Sequence, residues 1–527
     1  MEYTDTSSGL QRLLLECRTA QTSEISGSWY DTAQIIRTCL HHPGTLPQPL
    51  VHRSIGVLLD AQHDDGSWGY LRAPAGYRVV PTLAAAAAAL AIAGQDTTVG
   101  GTTAARARSA AGTALDFLVS EPERCAPETL PDTIAVELIV PAVLEALAQH
   151  PSPHTRIGDG IAAALYQQRT NLDSLHRLRR ACASGAALPA ALHYSLEAIG
   201  CPPARYTHDA YLAYDSLACS PAATAAALPW DTRPAPAAVS FLAREGARLG
   251  GAWPVVASVP VFETAWTVGA AARLGQTLPA DVSAPLASWL ASSVRDEGCG
   301  AGPALAPDSD DTAGVLFALH ALGRPQNPDC LFPYEREDHF VTFPDERTPS
   351  TSTNAHVLEV LKAASPENSD ADRVLGGIVK AAAYLLDTQC ADGYWTDKWH
   401  ASPYYATACA VLALRDIHRP GMTHSLRRTL RWICENQRMD GSWGCWHGTY
   451  EETSYALHIL LGINPRWHDK ATRSALYQGL RFLNNAVAAG LPEPGWAPLW
   501  HAKDLYQPTR VVRAFVLTAM SAAGSRH

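Results

Sequence analysis

The stretch PDSDDTAGVLFAL, from Pro307 to Leu319, sets Asp308, Asp310 and Asp311 within four positions and then runs straight into apolar residues. Carboxylates this close repel one another, and burial disfavours their charged form. Such a cluster can keep a proton that a free Asp, with a pKa of about 3.9, gives up. A carboxylic proton held near neutral pH and delivered to carbon is what protonation of an alkene requires. The same residues also suit an acidic helix start, where the dipole favours carboxylate over acid. That field would stabilise the carboxylate left after proton transfer, so the two roles are compatible. Taken alone, the cluster reads as a solvated cap; the rest of the chain must decide.

The chain has 527 residues, 47% of them apolar, enough for a large core. Its formal charge of −10 argues against nucleic acid as a partner. The twelve cysteines are scattered and form no C-x-x-C pair. They signal neither a zinc knuckle nor a disulfide framework, and reduced thiols in a cytosolic protein are the simple reading. The start, MEYTDTSSGLQRLLLECR, is acidic and amphipathic, unlike a signal peptide. The longest small-apolar run, TLAAAAAALAIAG, is too short and too alanine-rich to span a bilayer. The expectation is a soluble, cytoplasmic protein without stable membrane insertion.

The elements that would carry the carboxylates are helices. SLRRTLRWICENQ, TSYALHILLGI and DDTAGVLFALHALG repeat apolar residues at three- and four-residue spacing, and alternating β patterns are rare. One signature recurs after helical stretches: QHDDGSW (Gln62–Trp68), QCADGYW (Gln389–Trp395) and QRMDGSW (Gln437–Trp443). Weaker copies are ARLGGAW (Ala247–Trp253) and VRDEGCG (Val294–Gly300). The interval from Gln389 to Gln437 falls in the roughly 40 to 50 residues of a helix-pair repeat. In each copy Asp-Gly makes the turn, Gln can satisfy helix-end backbone groups and Trp covers the joint. Stacked helix pairs closing into αα-barrels fit this pattern, and the distance between the first copy and the last two suggests two barrels. LHHPGTLPQP (Leu40–Pro49) and LPWDTRPAPA (Leu228–Ala237) are linker-like.

The turn-and-Trp repeats are the QW motifs of terpene cyclases, and Asp308-Ser309-Asp310-Asp311 is a D-x-D-D motif. Together they make the chain resemble class II terpene cyclases, more narrowly the bacterial two-barrel βγ enzymes of the copalyl diphosphate synthase type. SWYDTAQ (Ser28–Gln34), VELIVPAVLE (Val136–Glu145), LHYSLE (Leu192–Glu197), SPAATAAAL (Ser220–Leu228), PVFETAW (Pro260–Trp266), DKWHASPYYAT (Asp397–Thr407) and LWHAKDLYQP (Leu499–Pro508) follow family segments in order. The resemblance implies an all-α fold of two αα-barrels with one inserted in the other: residues 1–46 open the β domain, 47–260 form the γ domain, and 261–527 complete the β domain.

The resemblance also implies roles. Asp310 is the proton donor, tuned by Asp308 and Asp311, and Asn354 in TSTNAHVLEVL hydrogen-bonds the acid. The carbocation would be shielded by aromatic faces. Tyr194, Trp266, Tyr404 and Tyr405 are candidates, though core packing explains each equally well. Lys398 and Lys503 match basic positions for a diphosphate, Arg177 and Arg180 fall near a basic γ-domain position, and Arg510 and Arg513 are further candidates. Mg²⁺ would bridge diphosphate and carboxylates, with Glu128 in the degenerate EPERCAPETLPD segment the nearest match to a ligand. Plant ent-copalyl synthases resemble one another in a His–Asn pair that holds a basic water. Here those positions carry Tyr194 and Val255, which points to another stereoisomer, a rearranged skeleton or a drimane. No D-D-x-x-D motif is present, so the diphosphate is expected to stay on the product, which would pass to a class I synthase or a phosphatase.

The expected activity is therefore protonation-initiated cyclisation of a linear prenyl diphosphate, geranylgeranyl first and farnesyl second. Triterpene cyclases share both motifs but use no diphosphate, and Lys398 and Lys503 argue against them. A protein prenyltransferase subunit would need an Asp, Cys and His zinc site that is not seen. A non-catalytic helical-repeat module would account for the repeats but not for the carboxylate cluster.

Overall fold

Helices carry the architecture of residues 6–19, 22–95, 99–120, 130–150, 172–200, 214–230, 234–364, 370–492 and 495–524, the parts of the chain that the computed structural model describes. Strands among them are two residues long. The buried side chains fall into two main cores. One draws on residues from Tyr30 to Ala257, and the other takes Leu10, Leu14 and Ile25 with residues from Val255 to Phe515, joined by Tyr194, Ala218 and Cys219. The chain thus starts in one helical body, builds a second and returns. Its two crossings are stitched together where Gly27–Ser28 pairs antiparallel with Trp253–Pro254. The N-terminal helix Thr6–Thr19 packs back on the C-terminal helix Thr509–Gly524.

The outward crossing comes earlier than residue 46. The helix Trp29–His41 buries Tyr30, Ile35, Ile36 and Cys39 in the inserted core, so the first body receives only the residues before Gly27. The two Pro- and Gly-rich stretches therefore lie within the inserted body rather than between bodies. The helix Gly76–Ala93 is longer than its alanine run suggested and passes the length and hydropathy test for a membrane span, yet 89% of it is buried inside the protein.

The repeated signature is one structural device used three times. Gln62, Gln389 and Gln437 each donate Nε2–H to the carbonyl four residues on, at Gly66, Gly393 and Gly441, at 3.0, 3.0 and 2.9 Å. The same amides reach the next helix at Ala110, Ser425 and Ala475. Trp68, Trp395 and Trp443 each return an indole N–H to the carbonyl ten residues back, at Leu58, Leu385 and Ile433. The glycines have φ of 86°, 100° and 91°, and a Cβ at any of them would strike neighbouring backbone. Only glycine fits there.

Among the helices of the larger body that begin on side-chain caps, Asp308 accepts from Asp311 N, Ser350 from Thr353 N, Ser402 from Tyr404 N and Thr449 from Glu452 N. A cap fixes where a helix begins, hence which residues occupy its first turns. Asp310, His356, Tyr405 and Tyr455 stand within the first two turns of these helices, as do Trp266 in Pro260–Arg273 and Phe515 in Thr509–Gly524.

Candidate active site

The carboxylate cluster opens the helix Ser309–Ala321. Asp308 is its N-cap: Oδ1 accepts Asp311 N–H at 2.8 Å, and its own N–H bonds Cys299 O at 3.1 Å. Ser309 Oγ donates to Val341 O at 2.7 Å. Asp310 then projects to the neighbouring helix Thr351–Ala363, where its Oδ1 lies 2.8 Å from His356 Nδ1. The two side chains are 15% and 1% exposed, so the pair is shut off from bulk water except on the Asp310 side.

The electrostatics separate the members of the cluster. Burial first, then the Asp310 charge, pushes Asp308 up to about 7, against the pull of its backbone bonds. Burial, followed by repulsion from Asp308, raises Asp311 well above its usual range. Between them these two carboxyls keep a proton near neutral pH. Burial pulls His356 down, but the Asp310 carboxylate outweighs it and lifts the imidazole to about 10. Asp310 therefore faces a cation on one side and proton-bearing carboxyls on its own helix.

Beyond His356 the walls are aromatic. Trp266 stands edge-on to His356 with ring centres 5.2 Å apart, and donates Nε1–H to Tyr405 Oη at 2.9 Å. Tyr405 contacts Tyr455 at 5.3 Å, which meets Phe515 edge-on at 4.8 Å. These rings, with Arg273, Leu412 and His356, close around a narrow cavity of about 10 Å³. Arg273 closes one end, its guanidinium held by Glu359 at 2.7–3.1 Å. Gly314 makes room for the wall, since a Cβ there would come within 2.5 Å of Trp266. A larger void of about 410 Å³ lies in the inserted body between Arg37, Glu145 and Arg179, well away from this cluster.

Of the sequence candidates, Asp308, Asp310 and Asp311 gather here with Trp266 and Tyr405. Asn354 does not touch the acid. Its Oδ1 accepts Phe340 N–H at 2.8 Å, and its Nδ2 donates to Phe340 O at 2.9 Å and Ser350 O at 2.8 Å. Asn354 and His356 are two positions apart, about 200° around a helix, so only one of them can face Asp310. His356 does, and it is the functional residue that the sequence reading missed. Its signal was a histidine in a helix buried along nearly its whole length. Asn354 instead pins the 340 segment, whose Val341 and Thr342 carbonyls hold Ser309.

Tyr404 points the other way, its ring 4.7 Å from Trp432. Tyr194 is buried with Oη donating to Val255 O at 2.9 Å. The two positions where the plant enzymes' His–Asn pair was sought are thus bonded directly to each other. Lys503 is fully buried, bonded to Ser220 at 2.7 Å and paired with Glu197 at 2.9 Å and Asp31 at 3.4 Å, with its ammonium over the Tyr194 ring. It joins the two bodies and is no free anchor for a diphosphate. Lys398 is paired with Glu346 at 2.5 Å. With both lysines internally paired, they no longer separate this chain from triterpene cyclases; the comparisons below do. Arg510 bonds Glu263 at 2.9 Å, and Arg513 approaches Glu16 and Glu24. Arg177 and Arg180 are exposed on the helix Leu172–Ala183, where Arg177 bonds Ser174 at 2.7 Å. Glu128 lies outside the described residues. Among the described residues no three His, Cys, Asp or Glu side chains are gathered to hold a metal ion.

A buried, proton-bearing carboxylate group beside an aromatic cavity in a two-bodied helical fold defines a class II terpene cyclase. Comparison with known proteins agrees. Residues 339–459 match the squalene-hopene cyclase C-terminal domain. The chain is 38% identical over 503 residues to ent-copalyl diphosphate synthase of Streptomyces sp. (strain KO-3988), covering 94% of this chain and 92% of that protein. It is 36% identical over 516 residues to labda-7,13-dienyl diphosphate synthase of Streptomyces clavuligerus, covering 93% and 88%. The solved structure of ent-copalyl diphosphate synthase from Streptomyces platensis superposes with a TM-score of 0.85 at 35% identity, over 98% of this chain and 99% of that one. The chain belongs to the bacterial class II diterpene cyclases of the copalyl diphosphate synthase family.

Proposed function

We propose that the enzyme protonates the terminal alkene of geranylgeranyl diphosphate and cyclises it to a bicyclic diphosphate. The observation that carries this reading is the contact between Asp310 and His356 beside the ring-lined cavity. The proton kept among the Asp308, Asp310 and Asp311 carboxyls is given to the alkene from the Asp310 oxygen that does not face His356, while His356 Nδ1–H holds Oδ1. The proton adds to the terminal alkene carbon, and the neighbouring π bonds attack in turn to close two rings. The carboxylate that remains is held by the imidazolium and by the helix N-terminus. Trp266, Tyr405, Tyr455 and Phe515 offer π faces to the migrating charge and exclude water that would quench it.

The diphosphate takes no part in the ring closures and leaves with the product. It remains a good leaving group, so the product suits an enzyme that ionises or hydrolyses it. Relatives named for two different products at 36% and 38% identity mean that overall likeness does not choose the skeleton. We propose magnesium as the counterion of the substrate diphosphate, and no catalytic step is assigned to it. The protein is read as soluble.

The test is incubation of purified protein and magnesium with geranylgeranyl diphosphate, farnesyl diphosphate and squalene separately. Products are dephosphorylated and identified by mass spectrometry and NMR. A bicyclic C20 alcohol is the expected result. A bicyclic C15 alcohol as the main product would reassign the substrate, and conversion of squalene alone would overturn the reading.

A further inference from the structure

Tyr455, which lines the cavity, is bonded to a second buried carboxyl, that of Glu451. Glu451 is 1% exposed, in the first turn of the helix Tyr450–Gly462. Its Oε1 receives three donors: Trp500 Nε1–H at 2.7 Å, Tyr455 Oη–H at 2.8 Å and His400 Nε2–H at 3.1 Å. The His400 tautomer follows from the structure, because Ser402 N–H donates to Nδ1 at 3.0 Å and leaves the hydrogen on Nε2. Both ring nitrogens are therefore engaged, Nδ1 as acceptor and Nε2 as donor, and Oε1 with three donors has no room for a hydrogen of its own. Glu451 Oε2 is buried without any hydrogen-bond partner.

Other buried glutamates in the same body are treated differently. Glu263 sits on Arg510, Glu346 on Lys398 and Glu359 on Arg273. Glu452 meets only neutral donors, but both its oxygens are engaged, Oε1 by Ser402 and Cys445 and Oε2 by Thr449. Glu451 alone of these has a free oxygen and no cation beside it. A buried carboxylate without a countercharge is unfavourable in a resting protein. It becomes favourable when a carbocation forms in the neighbouring cavity, which Tyr455 lines.

We propose that Glu451, acting through the Tyr455 phenol, receives the proton lost when the cyclised cation collapses to an alkene. The C–H bond next to the cationic carbon breaks, and its electron pair becomes the new π bond. The proton passes to Tyr455 Oη while the phenolic proton moves to Glu451, which ends as a neutral acid. Tyr455 is the catalytic residue that meets the substrate. Glu451 polarises it and stores the proton, and His400 and Trp500 hold Glu451 in place. This inference rests on the cyclase reading above.

The experiment compares wild type, Glu451→Gln and Tyr455→Phe on geranylgeranyl diphosphate with magnesium, with folding followed by circular dichroism. In both variants the wild-type alkene drops from the main product to a minor one, replaced by isomeric alkenes or an alcohol from water capture, while substrate is still consumed. A merely structural role would change rate or stability without changing product composition. If wild type converts no prenyl diphosphate, the substrate reading fails and this inference falls with it. If wild type converts its substrate, unchanged product composition in the folded variants overturns the inference alone. So does complete loss of consumption, which would place Glu451 in initiation. Should Glu451→Gln fail to fold, Tyr455→Phe decides, because it leaves Glu451 with two of its donors.

Discussion

Asp310 Oδ1 and His356 Nδ1 lie 2.8 Å apart across two neighbouring helices, and each alters what the other can do. The carboxylate lifts the imidazole to about 10 against the pull of burial. The resulting cation steadies the Asp310 carboxylate. Replacing Asp310 by Asn keeps the size and removes the acid, so turnover should vanish. His356→Ala should leave a folded enzyme with kcat lowered by about 10²- to 10⁴-fold, the usual range for a positioned proton-transfer group. NMR of histidine-labelled protein checks the coupling directly. The raised His356 value means its stabilising contribution is complete below its ordinary 6.5 and is lost as pH climbs through about 10. In Asp310→Asn the resonance should titrate well below 10; an unmoved titration would refute the pairing.

Asp308 offers a separate pH test. Burial raises it from 3.8 to about 7, so its acid form is the one the fold tolerates. A raised carboxyl contributes stability that is complete below its ordinary value and is lost as pH rises through the folded value. The stability of wild type relative to Asp308→Asn should therefore fall between pH 4 and about 7, read from thermal midpoints. Asn caps a helix about as well as Asp, which isolates the charge from the cap. Removing this charge also removes the repulsion that raises Asp311. The alkaline decline of kcat should accordingly move to lower pH in the variant.

Local turns and caps were legible in the sequence because they are written by neighbouring residues. Gln-x-x-Asp-Gly-x-Trp is satisfied almost entirely within its own turn and one adjoining helix, so three copies could be read as one device. The Asp308 cluster was read both as cap and as acid; in the structure Asp308 is the cap and Asp310 is the member that reaches His356. What could not be read was rotation and distant pairing. Asn354 and His356 occupy the same buried helix, and only its packing against Ser309–Ala321 decides which one faces the acid. Lys503 sits in a segment that suits a diphosphate anchor, but Asp31, Glu197 and Ser220 reach it from far along the chain and neutralise it. The cyclase family was recognisable from ordered motifs, whereas the cavity wall depends on side-chain directions that motifs do not encode.

Gly314 tests how tightly that wall is set. It lies mid-helix, where Ala is normally the more stable residue. Here a Cβ would come within 2.5 Å of Trp266, itself wedged between Phe262 and His356. Gly314→Ala should destabilise by about 1–3 kcal/mol, as overpacking does. It should also lower kcat more than it raises KM, because Trp266 is displaced from the cavity rather than from the diphosphate end. A stabilised, fully active variant would show that the ring shifts freely.

Lys503 separates an architectural cation from a binding one. Its ammonium bonds Ser220 and pairs with Glu197 and Asp31, all from the inserted body, while its own segment belongs to the larger one. Lys503→Met keeps the stem length and deletes the charge, leaving Asp31 and Glu197 buried without their partner. Burial already lifts Asp31 to about 7 even with Lys503 opposing it, so this site has little tolerance for bare carboxylates. Breaking a buried pair from one side costs about 3–5 kcal/mol. Chemical denaturation should show a loss of that size, and the loss should shrink as pH is lowered below about 7 and Asp31 takes up a proton. Lys398 is paired with Glu346 and lies over the Trp399 ring, without an ion pair to the inserted body among the described residues. Lys398→Met should raise KM for the prenyl diphosphate with a small effect on stability. If Lys503→Met instead raised KM and left the denaturation midpoint in place, Lys503 would be the diphosphate contact and its pairing here a resting state.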